Sequence, residues 1–170
     1  VTTEQVRAEI ERCLSEARLA DQRFAAEVVL ADVKNGYLAK PDDPVVRLYE
    51  ERLAGLKEEL GAGVCVVNAE NAADGAGLTP RLADRLLAAG ADALTLGNHV
   101  WRRKEIGPYL EESERVVRPA NLASGSPGRG LAVVPAADGT PVAVLNLQGQ
   151  LFMATPISPF EVFDALVEEA

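Results

Sequence analysis

Two short stretches of the chain end in side chains that can bind metal ions or move protons. The apolar run Val64-Cys65-Val66-Val67 leads directly into Asn68, Glu70 and Asn71, and the run Ala93-Leu94-Thr95-Leu96 leads into Gly97, Asn98 and His99. A carboxylate beside carboxamides offers hard oxygen donors, which by ligand type suit Mn2+, iron or Mg2+. Asp32, at the end of a further apolar run, is a candidate third oxygen ligand. Where two such ions sit about 3.5–4 Å apart they clamp the attacking and leaving oxygens of a phosphoryl transfer. The leaving alcohol then needs a proton, and His99, the only histidine of the chain, stands next to Asn98 for that task. Taken singly, Asn68, Asn71 and Asn98 read equally well as turn residues, because Asn tolerates left-handed backbone. The constellation is what points to chemistry.

For these residues to meet, the elements around them must bring two strand ends side by side. Short apolar runs bounded by Gly and Asn read as buried strands. In open α/β sheets ligands gather just beyond the carboxyl ends of neighbouring strands. The intervening pattern fits. Residues 45–60 and 79–89 have helical periodicity, with Thr79 as cap and Pro80 at the first helical position of the second. Strands are expected at 25–33, 64–67, 93–96, 116–117, 131–134 and 142–147, a short helical or irregular segment at 104–112, and a final helix at 159–169. Asp138-Gly139 signals a hairpin between the last two strands. Early βα alternation predicts a parallel sheet and the later hairpin an antiparallel part, so the fold class is α/β with mixed sheets and flanking helices. Residues 2–20 carry an apolar stripe at helical spacing through Val6, Ile10, Cys13, Leu14 and Ala17, which marks an amphipathic packing or dimerising helix.

Composition narrows the partners. The chain has 170 residues, 48% hydrophobic and 25% charged, which is enough for one ordinary core. Aromatics are only 5%, so Ala, Val and Leu must build that core, as suits strands covered by helices. A net charge of −9 disfavours a broad grip on nucleic acid or an anionic membrane, while leaving room for a small phosphate ester. No apolar run approaches the ~20 residues that span a bilayer. Cys13 and Cys65 have no metal-type spacing, and Cys65, inside an expected strand, reads as a small buried apolar group. A cytoplasmic location is the expectation.

The segments NAENAADGAGLTP, LTLGNHVW, RPANLASGSPGRG and VAVLNLQGQLFM, in this order, resemble the YmdB-type branch of the calcineurin-like metallophosphoesterases, bacterial 2′,3′-cyclic-nucleotide phosphodiesterases. The family's Asn-Gly-Glu-Asn-Ala-Ala stands here as Asn68-Ala69-Glu70-Asn71-Ala72-Ala73, and its Leu-Gly-Asn-His-Val-Trp is unchanged from Leu96 to Trp101. The resemblance runs from Gly63 to Ala170. It implies two facing sheets flanked by helices, as in the N-terminal part of the metallophosphoesterase αββα sandwich, and a binuclear site of divalent ions, iron or manganese with magnesium also compatible. It further implies Asp32, Glu70, Asn71 and Asn98 as metal ligands, with Glu70 bridging, and His99 as the catalytic histidine. Arg118, Asn121 and Arg129 fall in a loop typical of the family, as binding or packing residues. Two departures accompany the likeness. The loop after Asp32 is longer than in the family, and the histidine-bearing C-terminal segment of the family has no counterpart before Ala170.

These readings divide the chain into an N-terminal helix, 1–24, and a metallophosphoesterase-like α/β domain, 25–170, truncated at its C-terminus relative to the family. The expected activity is metal-dependent hydrolysis of a small phosphodiester such as a 2′,3′-cyclic nucleotide, in a protein that forms homo-oligomers. The alternative is a non-catalytic binding or assembly module that keeps the fold. An unrelated nucleotide-binding domain is disfavoured by the lack of a P-loop or a dinucleotide glycine fingerprint. No substrate-binding residue is legible.

Overall fold

The computed structural model describes residues 44–169 apart from 152 and 154. The expected helix at 2–20, the expected strand at 25–33 and Asp32 lie outside the described residues. Helix α1 (Pro44–Leu60) precedes strand β1 (Val66–Asn68), helix α2 (Pro80–Ala88) and strand β2 (Ala93–Thr95). A single 3-10 turn (Val100–Arg102), helix α3 (Ile106–Glu112) and the two-residue strand β3 (Val116–Val117) follow. Strands β4 (Leu131–Pro135) and β5 (Pro141–Leu145) form a hairpin, and helix α4 (Pro159–Glu169) closes the described chain.

Strands β1, β2 and β3 lie in that order in one parallel sheet, and β4 and β5 make a separate antiparallel pair. The observed strands agree with the expected ones to within about two residues at each end, the usual uncertainty of such boundaries. Helix α2 starts as its sequence dictates. Thr79 Oγ1 accepts from Leu82 N–H at 3.3 Å, and Pro80 occupies the first turn, where a missing N–H costs nothing. The hairpin turn closes on Asp138, whose Oδ1 accepts from Thr140 N–H at 2.9 Å.

Alternation along the parallel strands sends side chains to two different cores. Val67, Leu94 and Val116 face the helices and pack with Leu53, Leu78, Leu86, Ile106 and Leu110. Val66, Ala93 and Val117 face the hairpin and pack with Ala132, Val134, Val142 and Val144. The sheet thus lies between helices and a second, small sheet, the layered arrangement expected from the resemblance. Burying a Leu, Ile or Val side chain stabilises by about 1.5–3 kcal/mol, whereas an exposed ion pair adds about 0–1. The fully buried Leu78, Leu94, Leu96, Ile106 and Leu110 therefore outweigh the Arg85–Glu50 pair that links α2 to α1.

Cys65 is buried, and its backbone N–H donates to Asp92 Oδ2 at 2.6 Å, an oxygen that also accepts from Lys57 Nζ. Burial, reinforced by the Asp92 carboxylate, pushes its thiol up to about 11, so at neutral pH it is an apolar core group, as its place in the sequence suggested. Helix α4 is different. Phe160, Phe163 and Val167 recur on one of its faces at 86%, 47% and 52% exposure, so its apolar stripe is uncovered among the described residues.

Candidate active site at the carboxyl ends of β1 and β2

Because the three strands are parallel, their carboxyl ends share one edge. Asn68 of β1 is in register with Thr95 of β2, and Thr95 with Val117 of β3. The segments that follow β1 and β2 therefore emerge next to each other, and Ala69 N–H still donates to Thr95 O at 2.9 Å. Asn68 then folds its chain back, its Oδ1 accepting from Glu70 N–H at 3.0 Å. This is the turn function of an Asn, and it places the Glu70 carboxylate over the end of β2.

Two glycines, one on each loop, allow the close approach. A Cβ added to Gly97 would lie 1.9 Å from Glu70 Oε2 and 2.3 Å from Glu70 Cδ, so the carboxylate rests directly on the Gly97 backbone. Reciprocally, Gly77, at φ +86°, presses against the His99 carbonyl and the stems of Arg102 and Arg103, where a Cβ would approach to 3.2 Å or less. The loop after β1 is closed on itself by Gly77 N–H to Glu70 O, 2.6 Å, and Ala73 N–H to Gly77 O, 2.8 Å.

Between the two loops His99 Nδ1 lies 2.8 Å from Asn71 Oδ1 and 3.5 Å from Glu70 Oε1. A carboxylate can only accept, and an amide oxygen likewise, so Nδ1 carries its proton and donates. No hydrogen bond among the described residues engages the other ring nitrogen, Nε2. His99 and Glu70 keep 29% and 19% of their side-chain surface exposed, so both are sheltered yet open to a small molecule.

The structure thus brings Glu70, Asn71 and His99 into one contact group. Asn98 sits on the same turn with an exposed side chain, and Asp32 lies outside the described residues. As a donor set for a cation, Glu70, Asn71 and Asn98 offer oxygens with a single negative charge. Among the described residues no group of three His, Cys, Asp or Glu side chains could hold a metal ion. The described residues fit one part of a hard-oxygen site, with further ligands needed from elsewhere.

The residues of the 118–130 loop do something else. Arg118 donates to the carbonyls of Pro119, Ser126, Pro127 and Gly128 at 2.9–3.0 Å, and burial lowers the proton affinity of its guanidinium. Asn121, fully buried, donates to Gln148 O and Ile157 O and accepts from Gln148 N–H. Of the two roles open to them, packing is the one these contacts describe. Arg129 has an exposed side chain, and its carbonyl accepts from Arg118 N–H at 3.0 Å.

One supporting residue escaped the sequence reading. Asn146, just past β5, donates through Nδ2 to Leu96 O at 2.7 Å and to Val117 O at 2.9 Å, both bonds buried. It ties the hairpin to the ends of β2 and β3, one residue before Gly97. Its signal in the sequence is a single amide inside the apolar run Val142–Leu147, where an unpaired polar group would be costly.

A parallel α/β sheet with a carboxylate, carboxamides and an imidazole gathered past adjacent strand ends defines an α/β protein with a strand-end site. Comparison with known proteins gives the family. The model of the YmdB-like protein family matches residues 43–170, and the chain belongs to that family. It is 41% identical over 123 residues to the 2′,3′-cyclic-nucleotide 2′-phosphodiesterase of Bacillus subtilis (strain 168), an alignment covering 72% of this chain and 46% of that protein. Among solved structures it is similar to a hypothetical protein from Thermus thermophilus, with a TM-score of 0.67, 35% identity and coverage of 79% of this chain and 51% of the other. It is also similar to a structure titled a novel phosphatase, from Mycoplasma pneumoniae, with a TM-score of 0.62, 30% identity and coverage of 73% and 46%. The chain therefore spans about half the length of the proteins it matches in these comparisons.

Proposed function

We propose that this chain carries the Glu70–Asn71–Asn98–His99 part of a metal-dependent phosphodiesterase site that hydrolyses small phosphodiesters such as 2′,3′-cyclic nucleotides. The observation that carries the reading is the contact group itself: a carboxylate seated on Gly97, 3.5 Å from an imidazole that Asn71 orients. Membership of the YmdB-like family and the likeness to a cyclic-nucleotide 2′-phosphodiesterase support the substrate class.

Hydrolysis of such a diester forms a bond from a water oxygen to phosphorus, breaks the bond to the ribose 2′ oxygen, and delivers a proton to that oxygen. His99 supplies the proton in its cationic form: Nδ1–H stays donated to Asn71, and the proton on Nε2, the nitrogen presented to the leaving oxygen, is the one transferred. Glu70, Asn71 and Asn98 are the described residues that would hold a divalent ion, with Asp32 as a further carboxylate; iron or manganese by ligand type, with magnesium also compatible, would supply charge neutralisation for the phosphate and an activated water there. The net charge of −9 speaks for a small ester over a nucleic-acid chain. No helix among the described residues is long and apolar enough to cross a membrane. A cytoplasmic site of action belongs to the same proposal.

Trp101, the only tryptophan, lies two residues from His99 and reports on this edge. Titration with Mn2+ is expected to quench its fluorescence in parallel with the onset of bis(p-nitrophenyl) phosphate hydrolysis. Glu70→Gln, which removes the one charge among the described ligands, should weaken both by about tenfold or more. Equal Mn2+ response and turnover in Glu70→Gln would remove Glu70 from the site.

A second reading is an assembly module. It is favoured by the stripe Phe160, Phe163 and Val167 on α4, uncovered among the described residues, which suits burial against another copy of the chain in a homo-oligomer.

A further inference from the structure

We propose that Arg103 is a positioning residue that clamps the loop bearing Glu70 and Asn71 onto the turn bearing His99. Its Nη2 donates to Ala73 O and to Asp74 Oδ2, each at 2.8 Å. Both acceptors lie at the far side of the loop whose first turn holds Glu70. That loop is already closed by the Gly77 N–H to Glu70 O bond, so a grip on its tip is transmitted to the carboxylate. The stem of the arginine completes the contact, since its Cγ lies 3.0 Å from where a Gly77 Cβ would stand. Asp74 is the one described non-glycine residue with positive φ, at +57°, a conformation uncommon for a residue with a side chain and held here by the guanidinium.

The chemistry of the head group matters. A planar guanidinium meets a carbonyl and a carboxylate from one nitrogen in fixed geometry, which a lysine ammonium does not reproduce. The Arg103–Asp74 pair is 31% and 50% exposed, and pairs so exposed stabilise a fold only slightly. Arg103 Nε is moreover buried without a hydrogen-bond partner, so this placement is not optimised for stability alone. The clamp should therefore act on site geometry far more than on stability. This assignment rests on the phosphodiesterase reading only for its effect on turnover. Its effect on the Asn71–His99 contact is independent of that reading.

His99 is the sole histidine, so 15N-histidine labelling of the 170-residue chain gives a single imidazole signal. In the native chain this signal should show the Nδ1–H tautomer. In Arg103→Ala the Nδ1–H resonance should be lost to exchange with solvent. Mn2+-supported bis(p-nitrophenyl) phosphate hydrolysis should fall at least about tenfold in kcat with KM unchanged. The melting temperature should drop by no more than about 4 °C, the scale of a surface ion pair in a chain of this size. Arg103→Lys should restore both readouts in part, and Asp74→Asn, which leaves the Ala73 contact, should be intermediate. The clamp is overturned if Arg103→Ala or Asp74→Asn leaves the His99 signal as in the native chain. It is also overturned if the signal is lost only in step with global unfolding that Arg103→Lys fails to repair. A native chain that shows the tautomer but no diester hydrolysis would count against the phosphodiesterase reading, and the variant spectra would still decide the clamp.

Discussion

His99→Ala is expected to lower the kcat for 2′,3′-cyclic nucleotide hydrolysis by about 10²–10⁴-fold, the range for removal of a general acid. The imidazole is the one group of the described cluster with two ring nitrogens, so one can be held by Asn71 while the other passes a proton, whereas an ionised carboxylate only accepts. Its Nδ1 is engaged by Asn71 at 2.8 Å, so its loss deletes one defined proton donor without disturbing a strand or a core contact. The effect should be largest for substrates with a poor, alkoxide-like leaving group. It should shrink for p-nitrophenyl esters, whose leaving oxygen needs little protonation. Steady-state rates on the two substrate types check this, and an equal loss on both would assign His99 to binding or packing instead of proton transfer.

Gly97→Ala is expected to lower kcat by about 10²-fold, because displacing a catalytic group by around an ångström costs that much. The added methyl would sit 1.9 Å from Glu70 Oε2, and the carboxylate must vacate its place over β2. Gly97 does not have positive φ, and the three atoms nearest the added methyl all belong to Glu70, so the effect is expected to pass through that carboxylate. The crowding should also cost about 1–3 kcal/mol of stability. Adding Glu70→Ala to Gly97→Ala relieves the clash, and the double variant should regain the lost stability while remaining inactive. Urea unfolding of the two single variants and the double variant gives the coupling directly. Additive stability losses would show that Gly97 and Glu70 do not touch.

Much of this arrangement was legible in the residues. The runs Val64–Val67 and Ala93–Leu96 are short, apolar and bounded by Gly and Asn, which reads as buried strands, and Thr79-Pro80 and Asp138-Gly139 each carry their own local chemistry. Parallel pairing of β1 with β2 then follows from the helix between them, and it is this pairing that sets Asn68 beside Thr95. What the residues did not disclose depends on contacts across long separations. Asn71 reads as a turn residue or a ligand until His99, 28 positions later, is seen to meet it. Asn146 reaches 50 positions back to Leu96. Arg103 looks like one of several solvent-facing cations until its grip on Ala73 and Asp74 is seen. Arg118 and Asn121 lie in a loop whose composition suits binding or packing, and only their carbonyl partners distinguish the two. Asp32 and the expected helix at 2–20 lie outside the described residues, so their expected roles stand as proposals.

The loops after β1 and β2 are proposed to form a site for hydrolysis of a cyclic phosphodiester. Its most direct test is 31P NMR of 2′,3′-cyclic AMP incubated with the purified chain and Mn2+. The cyclic diester signal is expected to be replaced by that of the 3′-monophosphate, faster than in Mn2+ alone, with the replacement abolished by His99→Ala. A cyclic signal that decays no faster than with Mn2+ alone, or a native rate unchanged in His99→Ala, would contradict it.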